Sequence, residues 1–374
     1  MSGIYIHIPF CKKACYYCDF HFSTSLKNKT EIINALTEEI RLRKNYLSKK
    51  ELQSIYFGGG TPSLLEKLEI YTLLNEINKH FSISKNCEIT LEANPDDLSK
   101  GKLLELKNIG INRLSIGVQS FFDEDLKLLN RLHTSKQALY SIKEAQKIGI
   151  KNITIDLIYG IPELSIQKWQ SNIEQTLKLE VPHISAYALT IEPQTALHHF
   201  IKSGKLNPIN EYSTVQHYKL LCKTLKNAGY EHYEISNFAK PNFYSIHNTS
   251  YWQQKNYMGI GPSAHSFNGN SRQWNIKNNA LYLKKIKNRE CFFEKEELSY
   301  STRYNEYLLT GLRTIWGIEK KYLTENFSNF LPAFSKQKEK LIKEKLIKES
   351  ELYITLTEKG KLFADQIASN FFIV

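Results

Sequence analysis

The sequence predicts an α/β protein: a partial parallel (β/α)6 barrel followed by a small α-rich C-terminal domain of winged-helix type. Three observations carry that expectation. Six apolar, strand-like runs alternate with helix-period segments over the first 190 residues, and parallel strands need crossover connections of this kind. Residues with chemical character recur where the runs end. A parallel α/β fold places its ligands there, whether the sheet closes as a barrel or stays open and doubly wound. From about residue 271 the pattern turns Lys-rich and helical, with one short apolar strand near the end. A length of 374 residues fits two domains at about 150 residues each, and we divide the chain at 1–270 and 271–374.

Taken in order, residues 4–9 (IYIHIP) read as the first strand. Residues 29–45 carry Ile32, Ile33, Leu36, Ile40 and Leu42 at helical spacing. The strand SIYFGG (54–59) is followed by a helix over 65–80, and EITLEA (88–93) by a helix over 100–109. The strand RLSIGVQ (113–119) precedes helical stretches at 123–132 and 136–148. ITIDLIY (153–159), a helix over 165–179 and HISAYAL (183–189) complete the six strands. A further helix over 212–228 ends at Gly229, a residue suited to the left-handed turn after a helix. Residues 232–270 are rich in Gly, aromatic and polar side chains, including HNTSYW (247–252) and GIGPSAHS (259–266). The C-terminal domain ends in 341–350, the strand YITL (353–356) and a helix over 357–370. No internal repeat of fixed period is present.

Composition excludes several classes. Apolar residues make up 41% and charged residues 24%, enough to build a core and unlike a disordered chain. No apolar run reaches the roughly 18–20 residues of a membrane span. The N-terminus MSGIYIHIPFCKK lacks the pattern of a signal peptide. The expected location is cytoplasmic, with peripheral membrane contact left open. The net charge of +12 permits an anionic partner. The lysines are spread over amphipathic helices, however, and no aromatic-interleaved basic motif of an RNA binder occurs, so no nucleic-acid partner is expected.

Six cysteines are too sparse for a disulfide scaffold. Cys87, Cys222 and Cys291 are isolated and read as small buried apolar residues. Cys11, Cys15 and Cys18 stand at i, i+4 and i+7 in one loop after the first strand. Three thiolates so placed can hold three irons of a [4Fe–4S] cube and leave the fourth iron open. A structural zinc site would want four ligands, and no second cysteine pair exists. Tyr5, Gly58–Pro62, Glu92, Asn94, Gln119, Asp156, Tyr187 and Ala188 lie on or after the strands, which points to one shared site.

The cysteine loop, with Tyr17 before its third cysteine, resembles that of radical S-adenosylmethionine enzymes. YIHIPFC, FGGGTPS, LEANP, LSIGVQSF, NRLH, DLIYGIP and GIGPSAHS follow in order between residues 5 and 266. Together they resemble the anaerobic coproporphyrinogen III oxidase family and its sister group, the HemW-type haem chaperones. The resemblance implies a radical S-adenosylmethionine barrel whose cluster is held by Cys11, Cys15 and Cys18. It implies S-adenosylmethionine contacts from Tyr5, Gly59 and Glu92. It places Tyr17, Gly60, Thr61, Gln119, Arg131, Asp156 and Ala188 around a second S-adenosylmethionine or a substrate in its place.

Two departures favour the chaperones. The oxidases continue the loop with a fourth cysteine two positions after the third, where this chain has Phe20. They also carry a long N-terminal arm, for which the first strand at residue 4 leaves no room. HNTSYW matches a motif of the chaperones and makes His247 the expected haem ligand, with Tyr251 and Trp252 as porphyrin walls; His265, where the oxidase-like pattern has an apolar contact to the first S-adenosylmethionine, is a second candidate for haem or a cofactor contact. The reading is a haem chaperone that delivers haem to an unidentified acceptor apoprotein. The alternative is an oxygen-independent coproporphyrinogen III oxidase.

Overall fold

A computed structural model describes residues 2–373. The first half alternates strands and helices: β1 (Ser2–Ile8), α1 (Lys29–Leu42), β2 (Glu51–Gly59), α2 (Lys67–His80), β3 (Ser82–Ala93), α3 (Lys100–Asn108) and β4 (Arg113–Gln119). It continues through α4 (Asp123–Leu128), α5 (Ser135–Ile148), β5 (Asn152–Tyr159), α6 (Ile166–Lys178) and β6 (His183–Ala188). Each strand from β1 to β6 pairs in parallel with the next. Chain order therefore equals spatial order, without the reversal that defines a doubly wound sheet. With right-handed crossovers, such an order puts the helices on one face and curls the sheet into a barrel sector. The strands are long runs of Ile, Leu and Val because both faces are covered, and Ile4, Ile6 and Ile8 have no exposed surface.

Beyond β6 the chain adds α7 (Ala196–Lys202), α8 (Glu211–Asn227), β7 (Glu231–Glu234), β8 (Asn237–Ala239), α9 (Ile246–Trp252), β9 (Asn256–Ile260), β10 (His265–Phe267), β11 (Ser271–Asn275), α10 (Asn279–Asn288) and β12 (Phe293–Glu297). β9 joins the free edge of β1 in parallel, and β8 joins β6 antiparallel. The result is one twelve-stranded sheet in the order β12-β11-β10-β9-β1-β2-β3-β4-β5-β6-β8-β7. The segment 232–270 supplies strands to both edges, and one expectation changes here. Residues 271–297, expected to be helical, hold β11 and β12, so the sheet runs past the boundary placed at 270. Strands of three to five residues are too short to show a period; the open sheet edge gives them their pairing.

A second core begins at Tyr304 and ends at Phe371. It is built from α11 (Tyr300–Leu312), β13 (Ile318–Glu319), α12 (Lys320–Asn326), α13 (Leu331–Lys343), β14 (Ile347–Glu349), β15 (Tyr353–Leu356), α14 (Glu358–Lys361) and α15 (Ala364–Ser369). Its three short strands form a separate antiparallel sheet, giving the helix and wing arrangement expected. The unit docks on the barrel through Ile315 N–H to Tyr233 O at 3.0 Å and the Arg313 guanidinium 5.1 Å from the Trp252 ring. Among the described residues no helix is long and apolar enough to cross a membrane.

Candidate functional site

The cysteine loop leaves the C-terminal end of β1 through a closed neck. Phe10 bridges Ser23, Cys11 N–H donates to Ser23 O at 3.0 Å, and Ser23 N–H donates to Pro9 O at 2.9 Å. The far side of the loop is pinned as well. Tyr16 N–H reaches Leu129 O at 3.2 Å, and the Asn130 side-chain amide reaches Ala14 O at 2.7 Å. Cys11, Cys15 and Cys18 are free and half-buried. Cys87 is buried as expected, but Cys222 is half-buried and Cys291 exposed, because each sits at a surface turn or helix face rather than in the core.

The end of β2 presses against this neck. Gly60 N–H donates to Ile8 O at 2.9 Å, and a Cβ at Gly60 would lie 2.6 Å from Phe10 O and 3.0 Å from Cys11 Sγ. Gly59 has φ +111°, and a Cβ there would strike the His7 ring at 2.6 Å. Only glycine fits both places. The Thr61 hydroxyl donates to Cys11 Sγ at 3.4 Å. Arg131 reaches Cys15 Sγ at 3.5 Å and donates to Asn94 Oδ1 at 2.6 Å and Gly117 O at 2.8 Å, while its Nε is buried without a partner. It is thus a site cation rather than a helix-surface one. Gln119 holds φ +66° where β4 ends, and its amide and Arg131 both cover Gly117. The backbone strain at Gln119 falls within the same group of side chains.

The adjoining strand ends carry two carboxyls. Glu92 accepts from the Tyr56 hydroxyl at 2.7 Å and from Gly59 N–H at 3.1 Å. Asp156 accepts from the Ser115 hydroxyl at 3.2 Å. Burial pushes Glu92 up to about 7 and Asp156 up to about 6, and each also feels the other's charge or that of nearby Arg113. Tyr5 stacks on Tyr56 with centroids 6.0 Å apart and donates to His7 Nδ1 at 3.2 Å. Tyr17 lies close enough to Cys15 and Arg131 for their charges to act on its hydroxyl, which burial pushes upward. Ala188 ends β6 opposite Tyr159. Burial pushes the Cys11 thiol up to about 11 and the Cys18 thiol upward. A metal that takes these sulfurs therefore displaces protons. Among the described residues no three His, Cys, Asp or Glu side chains converge on a single ion; a cube with one thiolate per iron requires no such convergence.

Glu92 has a stability cost that can be measured. Its folded pKa is raised from 4.5 to about 7, so the penalty is absent below pH 4.5, grows as pH rises, and is complete above 7. Glu92→Gln is expected to stabilise the protein at pH 8 by on the order of 2 kcal/mol, after discounting the residue's partial exposure. The gain should vanish at pH 4.5. Thermal unfolding at the two pH values checks this, and an equal effect at both would exclude the burial account.

The structure does not present His247 to a ligand. The residue is 1% exposed on α9, which closes the opposite end of the barrel, where the parallel strands begin. Its Nδ1 hydrogen-bonds Ser54 Oγ at 2.8 Å and its Nε2 the Tyr251 hydroxyl at 2.8 Å. Its ring stacks on Tyr56 at 5.0 Å, and burial holds its pKa down to about 3. Tyr251 packs edge-on to Tyr257 at 4.5 Å, and Trp252 lies beneath Arg313. Both ring nitrogens of His247, the Tyr251 hydroxyl and the Ser250 hydroxyl are thus used inside the fold, while Thr249 Oγ1 and the Trp252 indole N–H are buried without a partner. Glu88 seats this helix by accepting from Ile246 N–H and His247 N–H, each at 3.1 Å. An acid at a helix N-terminus satisfies free N–H groups and the helix dipole.

Sequence reading missed Tyr56, Glu88 and Arg113. The signal was present for the last two: a charged residue inside an otherwise apolar parallel strand is buried and needs a partner.

The model of the Radical SAM superfamily matches residues 5–175. The chain is 34% identical over 375 residues to "Heme chaperone HemW" of Bacillus subtilis (strain 168), covering 99% of each chain. It is 35% identical over 268 residues to the protein of the same name from Escherichia coli (strain K12), covering 70% of this chain and 69% of that one. Among solved structures, coproporphyrinogen III oxidase (HemN) from Escherichia coli superposes with a TM-score of 0.87 over 99% of this chain and 90% of the other, at 23% identity. That likeness shows a shared fold.

Proposed function

Because the chain belongs to the HemW-type family of radical S-adenosylmethionine proteins, we propose that it is a haem chaperone, binding haem and passing it to an acceptor protein. The observation that carries the reading is similarity along the whole chain to relatives named for that role. The loop supports it, since Phe20, 72% exposed, stands where the oxidases carry a fourth cysteine.

Family membership implies a [4Fe–4S] cluster and S-adenosylmethionine, and the residues fit both. Cys11, Cys15 and Cys18 would hold the cluster. Gly59 and Gly60 form a cradle that any Cβ would fill, and the buried, unpartnered Nε of Arg131 faces the same region. When bound and reduced, the cluster would supply the electron that cleaves the sulfonium of S-adenosylmethionine. Thr61 and Arg131 place a hydroxyl beside the sulfur of Cys11 and a cation beside that of Cys15, where they would meet the negative charge of a bound cluster. Tyr5, Gly59 and Glu92 would line the first S-adenosylmethionine. Glu92, held by Tyr56 and the Gly59 amide, offers its carboxylate to an ammonium or ribose hydroxyl. Tyr17, Gly60, Thr61, Gln119, Arg131, Asp156 and Ala188 would line a second molecule or its substitute, with Arg131 suited to a carboxylate.

Anaerobically reconstituted protein should take up about one haem per chain. Supplied with S-adenosylmethionine and a reductant, it should not convert coproporphyrinogen III to protoporphyrinogen IX. Absorbance titration and product chromatography read the two results. Robust decarboxylation would restore the oxidase reading, and absence of saturable haem binding would end the chaperone reading.

A further inference from the structure

We propose that haem binds in the cleft between β10–β11–β12 and α11, with His265 as its axial ligand; the proposal rests on the haem-chaperone reading. The cleft measures about 470 Å³ and is lined by His265, Arg272, Trp274, Glu296, Glu306 and Leu309.

Three features make it a cargo site. The first is the donor. His265 is exposed at the start of β10, and no hydrogen bond acts on its ring. Partial burial and the Arg272 charge hold its pKa below the ordinary histidine value, so near neutrality a nitrogen lone pair is free for iron. In exposure and in hydrogen bonding it is the opposite of His247. The second is orientation. His265 pairs directly across the sheet with Trp274, the two rings standing 6.3 Å apart at 29°. The indole is itself anchored, its N–H donating to Glu294 at 3.1 Å. A porphyrin lying across the imidazole axis meets the indole edge on one side and Leu309 of α11 on another.

The third is the charge at the rim. Arg272 is held by Glu306, with its Nε 2.8 Å from Oε1 and an Nη 2.9 Å from Oε2, and its guanidinium lies 5.5 Å from the Phe267 ring centroid. One propionate can share this cation, while the other stays in solvent, away from Glu296. The cleft opens to water between the two units of the chain. A chaperone has to release what it binds, and an open cleft permits that where a sealed core does not.

The test is a titration of ferric haem into the full chain, read by the Soret band and by electron paramagnetic resonance. Four proteins are compared: the parent, His265→Ala, Trp274→Ala and His247→Gln. The exposed His265 can be replaced without loss of fold, which circular dichroism verifies. His265→Ala is expected to shift the Soret band and weaken binding at least about tenfold, and added imidazole should restore the parent spectrum. Trp274→Ala should weaken binding without removing the imidazole signature. His247→Gln should keep the parent spectrum. If the parent binds haem and His265→Ala retains its spectrum and affinity, the site assignment is wrong while the chaperone reading stands. If folded His247→Gln alone loses the signature, the ligand is His247 and the proposal fails. If the parent binds no haem, both fall together.

Discussion

Replacing Cys15 with alanine is expected to abolish the iron-dependent absorbance of the reconstituted protein, whereas Cys87→Ala, Cys222→Ala and Cys291→Ala leave it intact. The parent should hold about four irons per chain. All three loop thiols are needed because each would secure a different iron. No other cysteine is placed to substitute: Cys87 is buried in β3, Cys222 lies on α8 and Cys291 on the surface before β12. Cys15 is also the sulfur nearest the Arg131 guanidinium, at 3.5 Å, so its loss removes a ligand and leaves that cation facing nothing. The loop itself should persist, since its neck and its anchor to Leu129 are backbone hydrogen bonds. Iron and sulfide analysis with the visible spectrum decides the matter. Loss of the cluster in any of the three distant variants would overturn the assignment.

Arg113→Met should cost about 3–5 kcal/mol of stability. Arg113 is 1% exposed at the start of β4. It donates to Thr154 Oγ1 at 2.5 Å and to Thr90 Oγ1 at 3.5 Å, and its Nε lies 3.7 Å from Glu88 Oε2. Methionine fills much of the same volume, so the cost comes from charge and not from a cavity. It leaves the Glu88 carboxylate buried without its cation, balanced by the amides of α9 and the Ser245 hydroxyl. The double variant Arg113→Met with Glu88→Gln should recover a large part of the loss, because the stranded charge is then gone. Denaturant titration of the parent, both single variants and the double measures the coupling. A loss below about 1 kcal/mol in the single variant would mean the pair is not what holds the barrel floor.

How far the residues spoke for themselves differs between the two ends of the barrel. Six parallel strands were legible because their two-sided burial is written as runs such as ITIDLIY, and the cysteine spacing and the glycines of FGGGTP announced a site at the strand ends. Gly60 illustrates the limit of that reading. A glycine after a strand is an ordinary turn residue, and only the structure brings Phe10 O within 2.6 Å of where a Cβ would stand. His247 illustrates the opposite case. A histidine among Asn, Thr, Ser, Tyr and Trp looks the same in one dimension whether it faces solvent or fills a floor. Its burial is decided by partners 193 residues away at Ser54 and 159 residues away at Glu88. Likewise β10 has three residues, and its strand character exists only through pairing with β9 and β11.

The position of β1 bears on how the chain folds as it is made. β1 stands inside the sheet, with β2 on one side and β9 on the other, and the second pairing joins Ser2 to Asn256. At a synthesis rate of about 5–20 residues per second, the second neighbour of β1 emerges roughly 10–40 seconds after the first. Throughout that interval one edge of a strand whose Ile4, Ile6 and Ile8 end fully buried is unpaired, and Glu88 and Arg113 wait for the helix that completes their surroundings. Contacts this distant in sequence slow folding and lengthen exposure to aggregation. The nascent barrel is therefore a natural client for cellular folding factors until about residue 260 has left the ribosome.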